Sequence, residues 1–407
     1  MTTLNKVETM NEVVRSRFAN ASAMSSPIRA MFEAGTRLKR EFGAEAVCDF
    51  SIGNPDVPAP REVKDALMAI AADAEKPMAF GYTGLAGLLD AREAMAAYLS
   101  EEQGTPVHAA EVVLGAGAAG VMCSIFYACL EPGQHVLGVA PYFTNYDIWA
   151  GTFGCTYKSV LLKPDFTFDL PAMEAAMTPD TRIVLYNSPH NPTGHVHGEA
   201  EVKGLVEVVR RKSKEFGRPI LLVADEPYRF LVYGGQAVPS LLPLYEYSCL
   251  VGSLAKNMSL PGERLGYMAV SASMPGKEDF VGAVCSGNQA LGATSAPVVG
   301  QKLVKYCIGK NTDASVYARR REVMADVLAR AGYEFNMPEG AFYFFPKAPG
   351  GDDKAFVEEL MKHRILAVPG YAFGMPGYFR LSFCVNEDVI SRSYEGFKKA
   401  KDAVLNK

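Results

Sequence analysis

The chain has no excess of positive charge, no paired cysteine motif and no apolar run long enough for a bilayer. Each absence removes a class of function. With 41 lysines and arginines against 45 aspartates and glutamates, the net charge is −4. Such a balance offers nothing to draw the chain to nucleic acid or to an anionic membrane surface. The cysteines stand at positions 48, 123, 129, 155, 249, 285, 307 and 384. No two of them form C-x-x-C, so neither a zinc ribbon nor a thioredoxin-type pair is indicated. Most have apolar neighbours, which fits buried free thiols in a reducing compartment. No window approaches the roughly 20 apolar residues of a membrane span. Residues 1–11 are polar and carry no apolar core of a secretory signal. No repeat and no low-complexity segment is present. The expectation is a soluble, cytoplasmic protein of metabolic scale, with no nucleic-acid and no membrane partner.

What is there is an alternation. Length, at 407 residues, suggests two or three domains with ample core. An amphipathic helix is predicted over 28–42, then a short strand over 47–52 and the turn 53–56. From about residue 60, helical stretches (62–74, 88–102, 120–130, 199–216) are separated by brief apolar runs. Those runs are 112–114, 135–139, 182–186, 220–224, 250–252 and 265–270. Near-continuous apolar strands between helices indicate an α/β fold, a mostly parallel sheet covered on both faces. From about 315 the texture changes to helix, short strands and helix, a smaller α+β unit. Ligands of open parallel sheets bind beyond the carboxyl ends of the strands, so the residues just after each run matter most.

Several of those strand ends carry chemistry. After 250–252 comes Ser253-Leu254-Ala255-Lys256, a lysine ringed by small residues. Desolvation or a nearby cation makes such an amine nucleophilic at neutral pH. Arg264, eight residues on, offers the charged fork that grips phosphate. Alone, this pair reads as an ordinary surface loop. But 220–224 ends at Asp225-Glu226-Pro227-Tyr228, and 182–186 ends at a rigid turn containing Asn191-Pro192-Thr193-Gly194. The run 112–114 ends at a small-residue loop, 115–120, whose backbone N–H groups can cradle a phosphate at a helix N-terminus. The spacing of a dinucleotide fingerprint is only partly met there.

On these motifs the chain resembles the class I/II aminotransferase family, the fold-type I pyridoxal-5′-phosphate (PLP) enzymes, from about residue 25 to the end. The sharpest marker is the S-x-x-K-x₇-R-x-G stretch from Ser253 to Gly266, with N-P-T-G at 191–194 and D-E-P-Y at 225–228 upstream in the family's order. The resemblance implies a large domain, 48–304, with a seven-stranded, mostly parallel sheet, and a small domain built from 1–47 and 305–407. It implies that Lys256 forms the internal aldimine and moves the proton, that Asp225 faces the pyridine nitrogen, and that Asn191 and Tyr228 hold the ring's phenolic oxygen. Phe143 matches the aromatic that stacks on the ring. The backbone of Ala118 and Ala119, with Ser253 and Arg264, matches the phosphate cup. Tyr82 matches the tyrosine that reaches the phosphate of a neighbouring subunit, which implies a homodimer with shared active sites. Arg380 matches the clamp for the substrate α-carboxylate. Gly53 and Asn54 match the turn beside it, and segments 340–343 and 369–370 match loops lining the substrate side.

The implied reaction is a ping-pong exchange between an amino acid and a 2-oxo acid. A carbon–sulfur β-lyase or an aminocyclopropane carboxylate synthase-like lyase on the same fold shares the cofactor residues. A ligand-sensing domain of a transcription factor is the non-enzymatic rival, but only about 25 residues precede the matched region and no basic surface is evident. His190, His195 and His197 flank the N-P-T-G turn. A catalytic zinc site wants three ligands on firm elements with a carboxylate behind them, so no metal is expected. Tyr142 and Tyr146 read as packing at helical spacing. The family's dicarboxylate-specific members carry an extra cation, either an arginine about 34 residues after the lysine or a lysine in the cup loop. Here those places read Gly287-Asn288-Gln289-Ala290-Leu291 and Ala118-Ala119. Neutral side chains are favoured, although Arg29 could supply a cation.

Overall fold

A computed structural model describes residues 27–406. Residues 1–26 of the expected small domain and the Arg29 side chain lie outside what is described. The strands are β1 (Cys48–Asp49), β2 (Val112–Ala116), β3 (His135–Ala140), β4 (Thr156–Leu161), β5 (Thr181–Asn187), β6 (Leu221–Asp225), β7 (Ser248–Ser253), β8 (Leu265–Val270), β9 (Tyr343–Phe344), β10 (Ile365–Leu366), β11 (Val368–Pro369) and β12 (Phe379–Ser382).

Seven strands form one sheet in the order β2-β8-β7-β6-β5-β3-β4. Only β8 runs against its neighbours; β3 to β7 pair in parallel. Successive side chains of these strands feed two different cores. Val112, Leu114, Val184, Tyr186, Leu222 and Leu250 join one cluster, while Val113, Ile183, Leu185, Val223, Cys249 and Val251 join another. Both faces are apolar because both are covered by helices. The first face meets Leu89–Gln103, Glu199–Glu215 and Val298–Cys307; the second meets Gly117–Cys129 and Lys277–Ala290.

β4 has no counterpart in the runs read from the sequence. It is the sheet's edge, its residues are mostly exposed, and it carries Thr156, Lys158 and Ser159. An edge strand with one wet face and a lysine resists pairing with another chain, and lacks the apolar run of a central strand.

A separate cluster holds Phe50, Tyr317, Met324, Leu328, Phe342, Phe356, Phe379 and Phe397 around the three-stranded antiparallel sheet β11-β12-β9. The strand predicted over 47–52 is observed only as β1, which pairs in parallel with β10. All eight cysteines are unpaired. No helix among the described residues is long and apolar enough to cross a membrane.

Gly266 lies on β8, one strand in from the β2 edge of the large sheet. It stands between Gly115 of β2 and Ser253 of β7, and the helix start crosses directly above it. A Cβ at Gly266 would fall 2.2 Å from the Gly117 carbonyl carbon and 2.3 Å from the Ala118 nitrogen. Both are backbone atoms and cannot turn aside. Gly266→Ala is therefore expected to cost about 1–3 kcal/mol, as overpacked sites do, read from the urea midpoint. An unchanged midpoint would show that the 115–120 segment is free to move.

Candidate active site

One cavity of about 290 Å³ opens where β2, β5, β6 and β7 end. Of the residues singled out in the sequence, Gly53, Ala118, Ala119, Phe143, Asn191, Asp225, Tyr228, Ser253, Lys256, Arg264 and Arg380 all line it. Tyr82 does not. Its side chain is 92% exposed and stands outside the cavity.

Asp225 is the last residue of β6, aligned with Asn187 of β5 and Val251 of β7. Its buried carboxylate accepts one hydrogen bond, from Tyr146 Oη at 2.5 Å. Burial pushes the carboxyl up to about 6, and the Tyr146 bond opposes that rise; no cation takes part. Asn187 ties the neighbouring turn to this strand end, donating to Asp225 O at 2.7 Å and accepting from Asn191 N at 2.7 Å.

Lys256 lies in the single turn Leu254–Asn257 that follows β7. Its Nζ donates to Gly53 O at 2.6 Å. Burial pulls the amine down to about 8, with Arg380 and Arg264 adding to the fall. Phe342 and Tyr228 present ring faces 5.4 and 5.8 Å from Nζ. Arg380 is buried on β12, donating to Ser51 O at 2.7 Å and to Asn191 Oδ1 at 3.2 Å. Its Nε has no partner, and burial lowers its pKa.

The cup is built of backbone. The helix Gly117–Cys129 begins three residues earlier than the sequence pattern suggested, so Ala118 and Ala119 lie in its first turn. No side chain caps this end, which leaves amide N–H groups and the positive end of the helix dipole directed at the cavity. Arg264, held in the left-handed region at φ 51°, donates to Pro261 O at 3.0 Å and lies against Gly117. Ser253 ends β7 beside them.

Tyr146, Trp149 and Tyr343 also line the cavity, and the sequence pattern does not disclose their contacts there. Tyr146, read as packing, does pack, but its hydroxyl also holds Asp225. The spacing of 142 and 146 signals a helix face and carries no information about the hydroxyl. Trp149, the chain's one tryptophan, lines the cavity three residues further along the same helix. Tyr343 was named only as part of a lining loop; its hydroxyl lies 2.9 Å from that of Tyr228.

The histidines form an ion network beside the site. His195 sits between Glu201 at 3.1 Å and Glu339 at 2.8 Å. Burial lowers its pKa, but the two carboxylates outweigh that and raise it to about 9. His197 meets Glu201 at 3.1 Å and is held down to about 4, mainly by burial. His195, His197 and Glu201 bring ligand-type atoms within 4.8 Å of one another. The protonated His195 makes the cluster a clamp between the N-P-T-G turn and the segment entering β9.

The family model for aminotransferase class I and II matches residues 45–395. The chain is 31% identical to a probable aspartate/prephenate aminotransferase of Aquifex aeolicus, over 88% of this chain and 91% of that one. It is 28% identical to the aspartate/prephenate aminotransferase of Thermus thermophilus, over 89% and 92% of the two chains. Among solved structures, an amino transferase from Eubacterium rectale superposes with a TM-score of 0.90 at 35% identity, covering 99% of this chain and 100% of that one. An aspartate aminotransferase from Thermus thermophilus with maleate gives 0.81 at 25% identity, over 92% and 96%.

The buried Asp225 has a cost that can be read without any ligand. Its folded pKa of about 6 lies above the ordinary 3.8, so the folded state holds the proton more tightly than the unfolded state. Stability contributed at this position falls as pH rises between those values and stays low above them. Asp225→Asn keeps an acceptor for Tyr146 and removes the charge. In the unliganded protein it is expected to stabilise by on the order of 1–3 kcal/mol at pH 8 and hardly at all near pH 4, measured by urea unfolding. A loss of stability at pH 8 would contradict this account.

Proposed function

The chain belongs to the class I and II aminotransferases, and on that premise we propose how its residues divide the work. It is a PLP-dependent enzyme that exchanges the amino group of an amino acid with a 2-oxo acid. When bound, the cofactor supplies an electron-accepting ring and a carbonyl carbon that takes up an amine.

One observation carries the assignment. Asp225, Lys256 and Arg380 are buried in one cavity, and no ion pair within the described chain compensates any of them. Burying charge without a partner is expensive, so such groups mark where a ligand brings the opposite charge. Asp225 would hold the proton on the ring nitrogen, and Asn191 and Tyr228 would hold the phenolic oxygen. Phe143 would lie on the ring face. The amides of Ala118 and Ala119, with Ser253 and Arg264, would take the phosphate. Arg380 would take the substrate α-carboxylate, which orients Cα toward Lys256, and Gly53 lines the turn beside it. Lys256 Nζ, with its pKa lowered to about 8, is neutral often enough near neutral pH to remove the Cα proton.

The quaternary and cellular readings belong to the same proposal. Tyr82, exposed and outside its own cavity, would complete the phosphate site of a neighbouring subunit in a homodimer. The large unit is 48–304, the small unit is 1–47 with 305–407, and the β1–β10 ladder crosses between them. The cytoplasm is the compartment the unpaired cysteines favour. The relatives are named for aspartate and prephenate. Yet among the described residues the charged ones lining this cavity are Asp225, Lys256, Arg264 and Arg380, all of them assigned. Ile52, Trp149 and Tyr343 make up much of the remaining wall, and we infer a preference for neutral donors.

Mixing the PLP-loaded protein with single amino acids, without an oxo acid, tests the reading. Loss of the cofactor's absorbance with one equivalent of oxo acid formed, fastest for neutral donors, is the expected result. Aspartate as the fastest donor would overturn the specificity, and steady ammonia release with the absorbance retained would move the chain to a lyase. Lys256→Ala should fold normally and retain under about one per cent of the activity.

A further inference from the structure

Tyr343 occupies the one place where three parts of the site meet. It stands on β9 opposite Ser382 of β12, and Arg380, two residues before Ser382, shares that face of its strand. The Tyr343 ring lies 4.7 Å from Arg380 Cζ, and its hydroxyl lies 2.9 Å from the Tyr228 hydroxyl. The same hydroxyl rests on Gly53, where an added Cβ would fall 2.1 Å from it. Only glycine fits there, and it is the Gly53 carbonyl that receives Lys256 Nζ.

Two hydroxyls joined by one hydrogen bond cannot both donate along it. Burial pushes the Tyr343 phenol up to about 12 and raises Tyr228 as well, so both keep their protons at neutral pH. If Tyr228 donates into the cavity, it accepts from Tyr343. A donor that is itself accepting a hydrogen bond is polarised and donates more strongly.

We propose that Tyr343 is a positioning residue with two separable parts: its hydroxyl orients and strengthens Tyr228 as the donor to the cofactor's phenolic oxygen, and its ring holds Arg380 in line for the substrate carboxylate. This rests on the roles given above to Tyr228 and Arg380. The parts separate because Tyr343→Phe removes the hydroxyl and keeps the ring, whereas Tyr343→Leu removes both.

The test is a pH titration of the bound cofactor's absorbance, in the absence of substrate, for wild type, Tyr343→Phe and Tyr228→Phe. A weaker donor stabilises the ionised phenolic oxygen less, so the midpoint moves upward. Tyr228→Phe should move it by about a unit and Tyr343→Phe by roughly half as much. In steady state, Tyr343→Phe should leave the KM for the amino donor unchanged. Tyr343→Leu should raise it about 3–30-fold, the range expected for losing a buried cation–π contact, with a smaller change in kcat. A midpoint unmoved by Tyr343→Phe but moved by Tyr228→Phe overturns the hydroxyl's role and leaves Tyr228 in place. Neither variant moving it overturns the placement of Tyr228 as well. Equal KM rises in the Phe and Leu variants overturn the separation of ring from hydroxyl.

Discussion

The structure depends on holding opposite charges apart in one cavity. Asp225 lies in the same pocket as the Lys256 amine and two guanidinium groups, yet no ion pair forms between them. Attraction between unit charges at low dielectric is strong enough to collapse such an arrangement unless each group is tethered. Each one is. Tyr146 holds Asp225, the Gly53 carbonyl holds Lys256, and Ser51 with Asn191 holds Arg380. The tethers are neutral. They fix direction without cancelling charge, which keeps the charges available to a ligand.

The tethers come from different cores. Asp225 and Lys256 sit at adjacent strand ends of the large sheet. Arg380 and Tyr343 come from β12 and β9, backed by the aromatic cluster of Phe342, Phe356 and Phe379. Two partly buried ionic links join segments beside the cavity. Arg320 takes both oxygens of Asp56, at 2.6 and 3.0 Å, just past the Gly53 turn. His195 joins Glu201 and Glu339, securing the Asn191 turn to the segment that enters β9. A site assembled on rigid elements keeps the precision that orientation demands.

What the sequence disclosed follows from which physical signals are local. Lys256, Asp225 and Asn191 follow short apolar runs and Arg264 immediately precedes one, so strand periodicity and turn residues point to them without knowledge of the fold. Both cores of the large sheet were legible for the same reason, since strands buried on two faces read as unbroken apolar runs. Tyr146 was not legible. Its hydroxyl meets Asp225 across 79 positions of chain, and its spacing from Tyr142 records only the helix face. Tyr343 was half legible: an aromatic in a lining loop, whose function depends on the β9–β12 register and on a glycine 290 positions earlier. Edge strand β4 escaped because a wet strand lacks the run that identifies a dry one.

Burial acts on both acid–base groups of this cavity, in opposite directions. It disfavours charge whatever the sign, so it lifts the Asp225 carboxyl to about 6 and lowers the Lys256 amine to about 8. Desolvation, helped at Lys256 by the two arginines, thus brings a carboxylic acid and an ammonium ion to within a few units of neutrality on either side. The two then differ in what surrounds them. Asp225 has only a neutral phenol, so a positively charged ligand atom beside it restores its ionised form. Lys256 has Arg380 and Arg264 in its neighbourhood, and their charge adds to the desolvation that lowers its pKa, which raises the share of neutral amine near neutral pH. On the proposed roles, Asp225 would stand as a fixed anion beside a cationic ring and Lys256 would act as the base, without a dedicated proton partner for either. The direction of each shift in this cavity follows from packing, reinforced at Lys256 by the two arginines.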